Sequence, residues 1–134
     1  MREILFRGKH SPKSMWDYGD LYIDHDKVYI SMRETMHGVR VHGEVIPDTV
    51  GQFTGLIDKN GKKIFEGDII HMNSKRFGLS GHGVVVFRNG GFAIDDRKRN
   101  RLYPFMQNGQ YNAVDYRVDG NVHDTPELME VRNG

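Results

Sequence analysis

The sequence predicts an all-β protein: a small SH3-like or partly open β-barrel, an additional N-terminal β-hairpin region and a short C-terminal helix. Three observations predict it. Sixteen glycines are spread through 134 residues, which suits short strands joined by tight turns. Asn60-Gly61 and Asn89-Gly90 each lie between apolar segments, and Asn-Gly favours the positive φ angles of two-residue hairpin turns. Apolar and aromatic residues come in short clusters such as Val84 to Phe87, with little helical spacing between them.

The elements follow in chain order. Ile4 to Arg7 is a short strand, and Lys9 to Lys13 is a turn because Pro12 fixes φ in a polar cluster. Met15 to Tyr18 is expected to pair back against the first strand. Leu21 to Ile23 and Val28 to Ile30 flank Asp24-His25-Asp26-Lys27, which reads as a hairpin with a four-residue loop. The polar stretch from Arg33 to Gly43 is expected to be a flexible loop or an edge. Thr49 to Gly55 is β-branched and aromatic with interspersed glycines. A hairpin turn of type I′ is expected at Asn60-Gly61, then a corner at Glu66-Gly67-Asp68 and a strand at Ile69 to Met72. Phe77 to Gly83 reads as a glycine-rich loop. Val84 to Phe87 and Phe92 to Ile94 form a second hairpin across Asn89-Gly90. Asp95 to Arg101 is a charged loop. Leu102-Tyr103 and Phe105-Met106 form a strand broken at Pro104, and Tyr116 to Val118 with Gly120 to Val122 forms the last one. Asp124-Thr125-Pro126-Glu127 has a capping Asp, a first-turn proline and a capping-box Glu. A short terminal helix is therefore expected, with Leu128, Met129 and Val131 on its apolar side. All of this fits one domain, residues 1–134, with an N-terminal β subregion 1–45 and a barrel-like subregion 46–134.

Composition excludes several classes. There is no cysteine, so disulfides, thiolate metal sites and cysteine nucleophiles are absent. The net charge of +1 gives no global attraction to nucleic acid or to an acidic membrane. Met1 to Arg7 has three consecutive apolar residues before charge returns, too few for a signal-peptide core. Val84 to Phe87 is far too short to span a bilayer.

With these residues placed, a family resemblance is visible. Arg2-Glu3-Ile4-Leu5-Phe6-Arg7 resembles the opening of the YopX-like proteins of bacteriophages and prophages. Thr49 to Leu56, Asp58 to Lys62 and Ile64 to Ile70 are similar to that family's central signature. Gly120-Asn121-Val122 with Pro126-Glu127-Leu128 resembles its C-terminal signature. Two places depart from the pattern: Lys9 to Ser11 lacks the usual tryptophan-containing opening, and Val118-Asp119-Gly120 carries a charge where an apolar residue is the rule. The resemblance implies a phage or prophage gene product in the bacterial cytoplasm, an all-β fold with a barrel-like part, and self-association. It implies no catalytic residue and no cofactor.

Candidate sites were weighed against plainer structural roles. Asp58, Lys59, Asn60, Lys62, Glu66 and Asp68 gather polar groups, but turn geometry explains them. Asp24-His25-Asp26, and the set His71, His82 and His123, raise a metal-dependent enzyme as a minor reading. The paired spacings of zinc sites are missing. Ser74 and Ser80 lie near His71 and His82 without the strand–turn–helix setting of a serine nucleophile. Phe77 to Gly83 is not placed between strand and helix as a phosphate loop is. Arg97, Lys98, Arg99 and Arg101, followed by Tyr103 and Phe105, form the best nucleic-acid candidate, because cations meet phosphates and rings stack on bases. The leading expectation is a non-catalytic phage accessory protein that binds other proteins and itself. The functional surface is expected in the stretches Arg33 to Gly43, Asn73 to Gly83 and Asp95 to Arg101.

Overall fold

A computed structural model of the chain describes residues 1–108, 111, 112 and 114–129. The fold is all-β, with a curled half-barrel sheet and a second sheet. The chain forms two compact units, Met1–Gly55 and Leu56–Gly134.

The first unit holds β1 (Phe6–Gly8), β2 (Asp17–Asp24), β3 (Lys27–Met36), β4 (Val39–Val45) and most of β5 (Gly51–Ile57). Their sheet order is β4-β3-β2-β1-β5. The chain from Met15 onward does pair back on the first strand, with Phe6 opposite Gly19 and Gly8 opposite Asp17. The β2–β3 hairpin closes tighter than expected: Asp24 pairs with Lys27, leaving a two-residue turn in which His25 has φ +55°. Arg33 to Gly43, expected as a flexible loop or an edge, is the end of β3 and most of β4, the edge strand of its sheet. His37 and Gly38, at φ +54° and +77°, turn the chain between them. Gly19 is required by close approach, since a Cβ there would stand 2.0 Å from the Ser31 carbonyl oxygen. A 3-10 turn, Pro47–Thr49, leads into β5, and the Thr49 hydroxyl accepts the Lys9 N–H at 2.9 Å.

The second unit begins at the end of β5. The chain turns through 58–62 into β6 (Lys63–Phe65), which follows β5 in the sheet order. Then come β7 (Asp68–Ser74), β8 (Leu79–Arg88), β9 (Gly91–Asp96), β10 (Arg101–Pro104), the short β11 (Gln107–Asn108) and β12 (Tyr111–Asn112), and β13 (Asp115–Asn121). Five of these form an antiparallel sheet of order β10-β9-β8-β7-β13. The expected glycine-rich loop at Phe77 to Gly83 is mostly strand, because β8 starts at Leu79 and pairs with β7 as far as Ser74. Glycines 81 and 83 are there for space: a Cβ on Gly83 would stand 2.4 Å from Ile94 Cγ2. The hairpin at Asn89-Gly90 forms as expected, with both residues at positive φ.

Alternation sorts this sheet into two faces. Ile70, Met72, Val85, Ile94 and Tyr116 build one core with Ile64 and Val114. The Tyr116 hydroxyl, buried at the end of its ring, accepts the Met106 N–H at 2.8 Å.

The turn at Asn60-Gly61 is made differently from the predicted type I′. Gly61 has φ +81° while Asn60 stays outside the left-handed region. The turn is closed by the buried Asp58 carboxylate. Its Oδ1 accepts the N–H groups of Asn60 and Lys62 at 2.9 and 2.8 Å, and its Oδ2 accepts that of Val118 at 3.0 Å. The Asp side chain does what a second positive φ would otherwise do. The expected C-terminal helix is only a 3-10 turn, Pro126–Met129. Asn121 organises its approach: its Oδ1 accepts the N–H groups of His123 and Asp124. Val131 lies outside the described residues. No helix among the described residues is long and apolar enough to cross a membrane.

The Asp58 cap gives a direct stability test. Asp58→Ala leaves three N–H groups without their acceptor at once and is expected to destabilise the protein by about 2–4 kcal/mol, read by urea unfolding.

Candidate functional site

The face of the five-stranded sheet opposite the core carries a polar row. His71 sits between buried Ile70 and Met72, so its side chain leaves by the other face. Register places Arg117 of β13 directly across from His71, and His71 directly across from His82 of β8. The two imidazoles meet edge to face, with ring centroids 5.4 Å apart. Asp115, Asn73 and Ser80 form the next row on that face. Ser80 Oγ stands 3.5 Å from His71 Nε2, the outer limit of a hydrogen bond.

Asp119 is brought to this row by a bulge. Val118 pairs with Ile70 and Gly120 with Ile69, so Asp119 is the extra residue between them. This explains the charge that departs from the family pattern at this position. The bulged residue no longer has to fill an apolar register position. Its carboxylate takes both Arg117 Nε and a terminal Arg117 nitrogen, at 2.6 and 3.1 Å, and lies 2.8 Å from His82 Nε2. The Arg117 bonds, with His82 beside them, outweigh burial and hold the Asp119 carboxyl down to about 2. His71 is also pushed down, which favours its neutral form. Burial lowers its pKa, and Arg117, His82 and Lys59 lower it further by repulsion, with Asp119 opposing. Lys59 comes close because its N–H donates to the Tyr116 carbonyl at 3.0 Å.

The other predicted residues fall out as follows. Of the basic stretch, Arg99 is anchored: it donates to the fully buried Asp96 at 2.8 Å and to the Ser80 carbonyl at 3.0 Å. Arg97 lies 4.0 Å from Asp95. Lys98 and Arg101 are exposed, and Arg101 opens β10 opposite Asp96. Asp24 and His25 contact each other at 2.7 Å at an exposed hairpin tip. Ser74 is turned inward and its Oγ accepts the Phe77 N–H at 3.2 Å. Glu66-Gly67-Asp68 is a corner in which Asp68 accepts the Phe65 N–H at 2.7 Å. His71 and His82 do come together. Among the described residues no group of three or more His, Asp or Glu is placed to hold a metal ion. Arg117 and Asp119 were not singled out from sequence, because only the register and the bulge bring them to the histidines.

These observations define an all-β protein with a histidine-bearing polar sheet face. The sequence matches the YopX protein family over residues 5–130, and the chain belongs to that family. The fold is similar to the crystal structure of protein EF1440 from Enterococcus faecalis, with a TM-score of 0.55 and 21% identity over 97% of this chain and 100% of that one. It is also similar to protein yopX from Bacillus subtilis, with a TM-score of 0.57 and 19% identity over 94% of this chain and 98% of that one. At these identities the likeness is one of fold. No curated protein matches the sequence.

The Asp119 cluster fixes the sign of an acid response. A carboxyl held near 2, against its ordinary 3.8, stabilises the fold fully above about pH 4. That stabilisation is lost as pH falls through about 2. A carboxyl NMR titration should place Asp119 below the other exposed aspartates. Asp119→Asn should lower thermal stability at pH 6 and leave a shallower loss of stability between pH 4 and pH 2.

Proposed function

We propose that the protein acts by binding, through contact with other proteins and with copies of itself. The setting would be that of a phage or prophage accessory protein in the bacterial cytoplasm. The observation that carries this reading is the outer end of the β2–β3–β4 ribbon. Tyr22 and Ile23 are 52% and 60% exposed, and Val41 on β4 is also exposed. Tyr22 packs only sideways, with ring centroids 5.8 Å from Tyr29 and 6.1 Å from His42. Tyr22 and Ile23 are consecutive on β2 and so present apolar groups on both faces of the ribbon's end, and apolar surface left in water favours association.

The sheet edges point the same way. Unpaired N–H and C=O groups on an edge strand are a template for another strand. β10 is four residues long and contains Pro104, which blunts it. On β13, the Tyr116 carbonyl and the Val118 N–H are taken by Lys59 and Asp58. β4 is seven residues long, without proline, and ends its sheet. The net charge of +1 opposes contact between copies only weakly. The basic stretch supports a nucleic-acid reading less well, because Arg99 and Arg97 already face Asp96 and Asp95.

Light scattering or native mass measurement across a concentration series tests this. The expected result is a dimer or larger species. The double variant Tyr22→Ser, Ile23→Ser should shift it at least tenfold in concentration toward monomer. A protein that stays strictly monomeric throughout would remove self-association.

A further inference from the structure

The polar row on the second unit's sheet has a feature that binding between proteins does not use. Its positive groups outnumber the negative ones that face them. Arg117, His71 and His82 cross three strands side by side, and Lys59 approaches from the 58–62 turn. Asp119 is the carboxylate within the row, and it is already engaged by Arg117 and His82. Asp58 points its oxygens at backbone N–H groups, and Asp96 is held by Arg99. Asp115 belongs to the next row, across from Asn73. With Arg117 matched by Asp119, Lys59 remains as net positive charge, and each imidazole that gains a proton adds another.

We propose that Lys59, His71, Ser80, His82 and Arg117 form a binding site for a phosphate group, as free phosphate or a phosphomonoester, with affinity that increases as the histidines protonate. A tetrahedral oxyanion presents several acceptor oxygens and at least one negative charge. The row offers a matching set: two imidazole edges, a guanidinium, an ammonium and the Ser80 hydroxyl. Arg117, His71 and His82 are successive cross-strand neighbours, and such neighbours are about 5 Å apart. That spacing lets one anion touch adjacent members. The repulsion that keeps a proton off His71 comes from Arg117, His82 and Lys59 together, and a bound anion at that point relieves it. The edge-to-face packing of the imidazoles and the Arg117–Asp119–His82 bonds hold the donors in place before a ligand arrives, which reduces the ordering cost of binding.

Isotope-labelled full-length protein titrated at constant ionic strength tests the site, with chloride as the neutral reference. Inorganic phosphate should shift the ring signals of His71 and His82 and the side-chain signal of Arg117 in a saturable way. Sulfate keeps its charge between pH 6 and pH 8, so its affinity reports the protein's protons alone. It should tighten by up to tenfold per pH unit, about a hundredfold from pH 8 to pH 6, if one full proton is taken up with the anion. His71→Gln, and separately His82→Gln, should each weaken phosphate binding and flatten the sulfate pH profile, with the thermal midpoint showing that each variant is folded. A nucleoside monophosphate that shifts the same signals would identify the phosphomonoester as the ligand form. Phosphate binding without it would identify the free anion. Absence of any saturable shift in the wild-type protein, a sulfate affinity equal at both pH values, or shifts confined to other residues would overturn the proposal.

Discussion

The buried carboxylate of Asp58 holds together two parts of the second unit that sequence keeps far apart, the 58–62 turn and the last strand. One oxygen closes the 58–62 turn on Asn60 and Lys62, and the other reaches Val118 on the last strand. Burial alone would raise its pKa, but the N–H groups of Val118, Lys62 and Asn60 lower it on balance. The ionised form is therefore the native one, and its bonds are charge-assisted and strong. Lys59, carried by the same turn, donates its N–H to Tyr116. Through these bonds the turn covers the outer edge of β13 and fixes the strand that bears Arg117 and Asp119. The polar face depends on that strand being in register. The Asp58 turn is architecture, yet it sets where the chemistry-bearing side chains stand.

Two devices then create the polar row. The first is simple alternation: Ile70 and Met72 enter the core, so His71 must leave by the opposite face. The second is the bulge at Asp119: alternation puts this residue on the face of Arg117, and as the extra residue it leaves the register and turns its carboxylate to Arg117 and His82. The consequence is a divided electrostatic outcome. Asp119 is stabilised as an anion, while His71 is held neutral by burial and by its cationic neighbours. Both groups are shifted downward, which charges the carboxyl and neutralises the imidazole, and perturbed groups that share one surface mark a candidate functional site. The first unit differs in kind. Its ribbon exposes Tyr22 and Ile23, and its outer strand lacks the proline that shortens the edge at β10.

Much of the fold was legible in the sequence. The second hairpin at Asn89-Gly90, the corner at Gly67 and the strand at Ile69 to Met72 all form where the pattern puts them. Each rests on a local rule: a residue tolerant of positive φ, or a β-branched apolar run. The errors also share a cause. Phe77 to Gly83 reads as a loop because it is glycine-rich, and Arg33 to Gly43 as a loop or an edge because it is polar; the first is largely strand and the second runs through the edge strand β4. Their strands are stabilised by cross-strand hydrogen bonds to β3 and β7, which composition does not record. The terminal helix shrank to a 3-10 turn because Asn121 and Thr125 bond the chain locally there.

The sequence by itself determined the all-β class, the positions of most turns and the family, because these depend on backbone preferences encoded within a few neighbouring residues. It also brought the histidines into view without saying which of them meet. Only the tertiary structure decided that His71 and His82 stand side by side, that Arg117 and Asp119 join them, and that Arg99 is spent on Asp96. Those pairings join residues up to 37 positions apart in the chain. They depend on strand register, and a shift of one residue would turn every member of the row to the opposite face.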